Sequence, residues 1–120
     1  MNLKHFSEEE FRKATPSCSL SDMNEEFMHH LDECRDFAGI PVIINSAYRS
    51  VEYEKKKGRT GTSQHTKGLA VDIRCVTNAQ RFRIVASLLV AGFRRIGIGT
   101  NFIHVDVFWF LYEYKKIKNP

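Results

Sequence analysis

The stretch that decides the fold is SQHTKGLAVD, residues 63–72. From Leu69 to Arg74 apolar and polar residues alternate, and this period of two predicts a β-strand. Gly68 permits a sharp turn just before this strand. His65, at the end of the preceding loop, can therefore converge with Asp72, which lies on the polar side of the strand.

A second strand is predicted from Phe102 to Phe108, with His104 and Asp106 on one face. Imidazole and carboxylate ligands suit zinc, and a catalytic zinc site takes three protein ligands. The residues alone predict His65, Asp72 and His104 as those ligands. A hydrogen-bond network or a solvent-facing strand would produce the same pattern.

Two longer helices are predicted in addition to a short one from Ser7 to about Ala14. The first runs from Ser21 to Gly39, and the second is capped by Thr77 and runs to Ala91. Their predicted core stripes are Met23, Phe27, Leu31, Cys34 and Phe37 on the first, and Phe82, Val85, Leu88 and Leu89 on the second. Both His29 and His30 are predicted on the helix surface, because neighbours point about 100° apart.

The remaining strands are predicted at Val42 to Ile44, ending near Ser46, and at Arg95 to Gly99. Residues 50–57 read as a short charged helix or turn, and residues 109–114 as a packed terminal segment. We expect one α+β domain over residues 1–120, in which helices pack on one side of a small antiparallel sheet of about four strands.

Composition limits the function classes. The 120 residues are 42% hydrophobic and 27% charged, with a formal net charge of +4, as in an ordinary soluble protein. This mild charge does not favour nucleic-acid binding, and no apolar run suits a membrane span. The three cysteines do not form an even set, so we expect no disulfide framework. We expect a monomer made in the cytoplasm without a signal peptide.

The pattern Ser-x-His-x-x-Gly-x-Ala-x-Asp at residues 63–72 resembles the zinc motif of the D-alanyl-D-alanine carboxypeptidase family. That family also holds D,D-dipeptidases and phage L-alanyl-D-glutamate endopeptidases. Three other segments resemble parts of it in the same order, namely residues 3–11, 44–50 and 102–107. The resemblance implies a Hedgehog/DD-peptidase-like fold.

The resemblance implies that His65, Asp72 and His104 bind one zinc ion. It also implies that Arg49 is a catalytic residue that holds a substrate carboxylate or the polarised carbonyl oxygen. Without the resemblance, Arg49 would be read as a surface ion pair with Glu52 or Glu54.

Two further residues are implied to contact substrate. Ser63 would hydrogen-bond the substrate or orient its loop. Tyr48 would line the same pocket, although the residue pattern itself favours a packed aromatic at the end of a strand.

The chain departs from the family pattern at two positions. Ala47 replaces a glycine, and Asn101 stands where several relatives place an acid three residues before the third ligand. An amide cannot take a proton from water, so Asp106 becomes the candidate general base. Two alternatives stay open, in which Asp106 orients a ligand or replaces His104 in the metal site.

The implied function is a zinc metallopeptidase that hydrolyses peptidoglycan stem peptides, as a carboxypeptidase or an endopeptidase. A phage or prophage endolysin released at lysis would reach that substrate. The rival is a catalytically impaired binding module for cell wall or protein, since the Hedgehog signalling domain has a similar zinc site.

Overall fold

A four-stranded sheet organises the protein, and the computed structural model describes residues 1–108 of the chain. The strands are β1 (Ile44–Ser46), β2 (Ala70–Arg74), β3 (Arg95–Ile98) and β4 (Phe102–Asp106). Their order is β1-β2-β4-β3, and all neighbours are antiparallel. This confirms the predicted α+β class. The packed segment predicted at residues 109–114 lies outside the described residues.

The sheet has one apolar face and one polar face. Val71, Ile73, Ile103 and Val105 are fully buried and join the hydrophobic core together with the helices. Burying one such side chain contributes about 1.5–3 kcal/mol. The alternate residues of β2 and β4 lie on the other face, as the period of two predicts.

Within residues 1–108, four helices accompany the sheet: α1 (Glu8–Arg12), α2 (Glu25–Ala38), α3 (Val51–Lys56) and α4 (Asn78–Val90). Short 3-10 turns occupy Leu20–Asp22 and Gln64–Lys67. Among the described residues, no helix is long and apolar enough to cross a membrane.

The predicted start of α2 at Ser21 is wrong. The side chain of Asn24 accepts a hydrogen bond from the Phe27 N–H at 2.8 Å, so Asn24 is the N-cap. The predicted end is confirmed, because Gly39 has a φ of +65° and closes the helix in the left-handed conformation.

The buried stripe of α2 differs from the prediction at its last turn. Phe37 is 56% exposed, while Ala38 is buried, because the spacing of the stripe continues from Cys34 to Ala38. The surface prediction for His30 is also wrong. Its ring is buried, with Nδ1 3.2 Å from the carbonyl oxygen of Ala91.

The predicted core stripe of α4 is confirmed at Leu88 and Val85, which are buried or packed against the core, but it is wrong at the other two positions. Phe82 is 74% exposed and Leu89 is 46% exposed, while Ile84, Ser87 and Leu88 are buried. Ser87 faces α2, where its Oγ lies 3.0 Å from Cys34 Sγ. The packing of α4 against α2 decides which face of α4 is buried, and the apolar spacing of α4 alone did not identify that face.

The strand predicted to be buried at Val42 to Ile44 alternates instead. Val42 and Ile44 are buried, but Ile43 is 50% exposed because only one face of the sheet meets the core.

Cys34 and Cys75 are buried and, like Cys18, carry free thiols. Burial raises the pKa of the Cys34 thiol to about 11, against a smaller lowering by its hydrogen bond to Ser87.

Candidate metal centre

Two of the predicted ligands are direct cross-strand partners. Asp72 on β2 faces His104 on β4, and their side chains share the polar face of the sheet. Asp72 Oδ1 lies 2.8 Å from His104 Nδ1. The same register row continues to Ser46 on β1 and to Gly97 on β3.

The third predicted ligand reaches the row from the turn that precedes β2. His65 lies in the turn Gln64–Lys67, which ends at Gly68 with a φ of +69°. A Cβ on Gly68 would lie 2.4 Å from the carbonyl oxygen of Asp22, so this position needs glycine for space as well as for conformation. The predicted turn at Gly68 is confirmed.

The orientation of the His65 ring is set by a backbone carbonyl. Nδ1 lies 2.6 Å from the carbonyl oxygen of Ala47, which makes Nδ1 the protonated nitrogen and leaves the lone pair on Nε2. Nε2 lies 3.4 Å from Asp72 Oδ1. The departure at Ala47 is thus harmless to this contact, because the backbone and not the side chain makes it.

The three side chains converge on one point. One ligand atom each from His65, Asp72 and His104 lies within 4.8 Å of the others, and His65 is buried. Two neutral imidazoles and a carboxylate are a zinc donor set that leaves a fourth position open. The residues present therefore fit the predicted metal.

Electrostatics favour an ionised carboxylate at the centre. Burial alone would raise the pKa of Asp72, but its contacts with His104 and His65 outweigh burial and hold that pKa far below its usual range. The same contact with Asp72 raises the pKa of His104, against burial and with help from Asp106.

Asp106 is joined to the opposite nitrogen of His104. Its Oδ2 lies 2.8 Å from His104 Nε2, and its Oδ1 accepts from Arg95 Nε at 2.5 Å. The nitrogen that faces Asp72 is Nδ1, so Asp106 contacts the side of the ring turned away from Asp72. A carboxylate in this place fixes the tautomer and the orientation of a metal-binding histidine.

Arg49 is held by three partners at the edge of the centre. Nη2 donates to Asp72 Oδ2 at 2.8 Å, Nε donates to Ser46 Oγ at 3.0 Å, and Nη1 donates to Glu54 Oε2 at 3.3 Å. A guanidinium has five N–H donors, so two are not engaged by any residue in the described part of the chain. The ion pair with Glu54 is present, but it lies inside the site and not on the surface.

Glu54 is a further residue of the site, which the sequence indicated only as a possible surface ion-pair partner of Arg49. Its side chain is fully buried, and both of its oxygens accept from Ser63 Oγ at 2.8 Å. Burial would raise the pKa of Glu54, but the hydrogen bonds from Ser63 and Arg49 lower it overall. No local pattern marks this residue, since α3 reads as a charged surface helix.

Residues 4–106 match the sequence pattern of a known family, Peptidase M15. The chain belongs to the peptidase M15 family. Its members are zinc-dependent, and the match includes all three predicted ligands. No curated protein and no solved structure gives a significant match to the chain.

The other positions predicted from the M15 resemblance lie at different distances from this centre. Ser63 does not contact the ligands directly but donates to Glu54, which in turn accepts from Arg49 beside Asp72. Tyr48 is partly exposed and packs against the hydrophobic core. Asn101 is exposed in the turn between β3 and β4, where its carbonyl accepts from the N–H of Cys75. The substrate contacts of Ser63 and Tyr48 stay predictions.

Proposed function

We propose that this M15 protein is a zinc-dependent peptidase that cleaves the stem peptides of peptidoglycan. One observation carries the peptidase part, namely the convergence of His65, Asp72 and His104 within 4.8 Å on one face of the sheet. The resemblance of residues 63–72 to the D-alanyl-D-alanine carboxypeptidase motif supports the choice of substrate.

His65, Asp72 and His104 would hold the metal. A bound zinc ion would polarise the scissile carbonyl and acidify the attacking water. The chain contributes rigidity, because Asp72 and His104 lie on paired strands and the ring of His65 is tied to Ala47. Ligands held in this way keep their geometry when substrate enters.

Arg49 is proposed as the group that stabilises the developing negative charge on the carbonyl oxygen. Its contacts with Ser46, Glu54 and Asp72 fix the guanidinium plane, so no reorganisation is needed during the reaction. The two remaining N–H groups supply the hydrogen bonds.

Asp106 is proposed to keep His104 Nε2 protonated and Nδ1 free for the metal. The contact with Nε2 supports this role over that of general base, because the imidazole ring stands between Asp106 and the point where the ligands converge. The general-base role of Asp106 stays a separate prediction.

Digestion of purified peptidoglycan tests the proposal. We expect zinc-loaded protein to release peptide fragments, identified by mass, and a chelator or His65→Ala to abolish the release. Loss of a terminal alanine would show carboxypeptidase cleavage, and separation between alanine and glutamate would show endopeptidase cleavage. Zinc-loaded protein that releases no fragment contradicts the proposal.

The binding-module alternative gives a different result in the same experiment. Such a protein would sediment with the peptidoglycan and keep its zinc, but it would leave the wall peptides intact. We also predict that the protein is a phage or prophage endolysin, which is released at lysis and then acts on the cell wall.

A further inference from the structure

An open groove of about 360 Å³ lies beside the candidate metal centre, on the same face of the sheet. It is lined by Arg94, Arg95, Ile96, Gly97, His104 and Asp106. Because His104 belongs to both the groove and the metal centre, a peptide held at the centre has room to extend into the groove.

Gly97 leaves the floor of the groove free of a side chain. It lies opposite His104 in the register of β3 and β4, at the end of the row that contains Asp72. A Cβ at Gly97 would lie 3.5 Å from His104 Cβ, which is ordinary contact. Glycine is therefore not needed for backbone geometry here, and a larger side chain would fill the groove.

Arg95 presents hydrogen-bond donors to this space. Its Nε is bound to Asp106 Oδ1, and its guanidinium lies over the ring of Phe108 at 4.0 Å. Among the described residues, the hydrogen bonds of Arg95 use Nε alone, and its side chain is 45% exposed. The two Nη groups therefore remain for a ligand, and their fork matches the two oxygens of a carboxylate.

The charges around the groove favour an anion. Among the described residues, the ion pairs of the site and groove join the two arginines Arg49 and Arg95 to the three carboxylates Glu54, Asp72 and Asp106. A bound divalent metal would change the net charge of this set from −1 to +1. The repulsion expected from Asp106 is small, because its oxygens face Arg95 Nε and His104 and it is only 8% exposed.

We propose that the groove over Gly97 is a substrate subsite in which the Nη groups of Arg95 bind a carboxylate of the peptide. This deepens the proposed function and rests on it for the identity of the ligand as a peptide. The carboxylate has two sources in a short peptide, namely the chain terminus or an acidic side chain next to the scissile bond.

A binding experiment tests the subsite without requiring catalysis. Glutarate and its diamide, glutaramide, are titrated into zinc-loaded protein and followed by NMR at the Gly97 amide and the Arg95 Nε–H. We expect glutarate to bind about tenfold more tightly than glutaramide, in line with one hydrogen-bonded charge pair. In Arg95→Gln the ratio of the affinity for glutarate to the affinity for glutaramide should fall to about one.

Two variants make the result specific. Arg12→Gln removes an exposed arginine of α1 and should leave the preference unchanged. Gly97→Val fills the groove without altering charge. Glutarate should therefore bind this variant more weakly, and its addition should no longer shift the Arg95 Nε–H signal. A preference that survives in Arg95→Gln, or wild-type protein without any preference, overturns the subsite.

The two sources of carboxylate are separated by hydrolysis of matched peptides. N-acetyl-D-alanyl-D-alanine is compared with its terminal amide, and N-acetyl-L-alanyl-D-glutamate with its D-glutamine analogue. The source is the carboxylate whose amidation lowers kcat/KM. In Arg95→Gln, the carboxylate and amide forms of that peptide should have equal kcat/KM. If no peptide is cleaved, the proposed function fails, whereas the glutarate preference still decides the subsite.

Discussion

Asp72 and His104 lie opposite each other on antiparallel strands β2 and β4, with Asp72 Oδ1 2.8 Å from His104 Nδ1. This pairing places two predicted metal ligands on the two central strands of the sheet. His65, the third, approaches from a turn whose position depends on Gly68 and Ala47. The centre therefore depends on one sheet register and one turn.

Replacement of His65 by alanine should lower the affinity for zinc by more than about 100-fold, because losing a ligand costs more than losing an outer partner. Competition with a chelating dye measures this. Zinc at 1,000 times its Kd should stabilise the wild-type fold by about 4 kcal/mol, and this gain should be absent in the variant.

His29→Ala is the matched control for that experiment. His29 is a half-exposed histidine of α2 that pairs with Glu25, so its removal should leave zinc affinity unchanged. Equal affinities for wild-type protein and His65→Ala would show that the metal does not bind at the predicted centre.

Replacement of Asp106 separates orientation of His104 from general-base catalysis. Asp106→Ala should weaken zinc binding by about 10- to 100-fold, because His104 Nε2 loses its acceptor. Asp106→Asn keeps an oxygen acceptor and should weaken it less, since the half-exposed Arg95 can shift to accommodate the amide.

A different pair of results would identify Asp106 as the general base. If Asp106→Asn keeps full zinc affinity but loses about 100-fold or more in kcat, the residue acts as the general base. Zinc affinity and kcat are therefore measured on the same preparations.

Replacement of Glu54 by alanine should destabilise the fold by about 2–3 kcal/mol. The change leaves Ser63 Oγ and one edge of Arg49 without their buried acceptor, although Arg49 keeps Asp72. Urea unfolding measures the loss. Glu52→Ala, an exposed position on the same helix, should stay within about 0.5 kcal/mol of wild type.

Glu54 should also make the fold sensitive to acid. Its pKa is lowered in the folded protein, so the unfolded chain binds its proton first as the pH falls below the ordinary glutamate pKa of about 4.3. The stability contributed by Glu54 is present above that value and is lost as the pH falls through the lowered pKa.

Urea unfolding between pH 6 and pH 3 checks this sign. Glu54→Gln should lose less stability over that range than wild-type protein, because it has no carboxyl group to protonate. Glu52→Gln should follow the wild-type slope. A wild-type slope in Glu54→Gln would show that the carboxylate gains nothing from its contacts in the fold.

Much of the site was predictable from local sequence patterns. Alternation along residues 69–74 and 102–108 placed Asp72, His104 and Asp106 on polar strand faces, and Gly68 predicted the turn that carries His65. These predictions hold because strand period and turn conformation depend on neighbouring residues in the chain.

The incorrect predictions concern contacts between distant residues. Phe82 and Leu89 of α4 are exposed, and His30 of α2 is buried, because the packing of α2 against α4 decides which face of each helix is covered. Glu54 looked like part of a charged surface, but it is enclosed by contacts with Ser63 and Arg49.

The sequence by itself predicted the candidate metal ligands, and it determined the strand faces that carry them and the turn before β2. Only the tertiary structure decided the register that sets Asp72 against His104, the ring nitrogen that meets Asp106 and the burial of Glu54. The physical reason is range: alternation and turns follow from adjacent residues, whereas register and burial follow from packing between segments far apart in the chain.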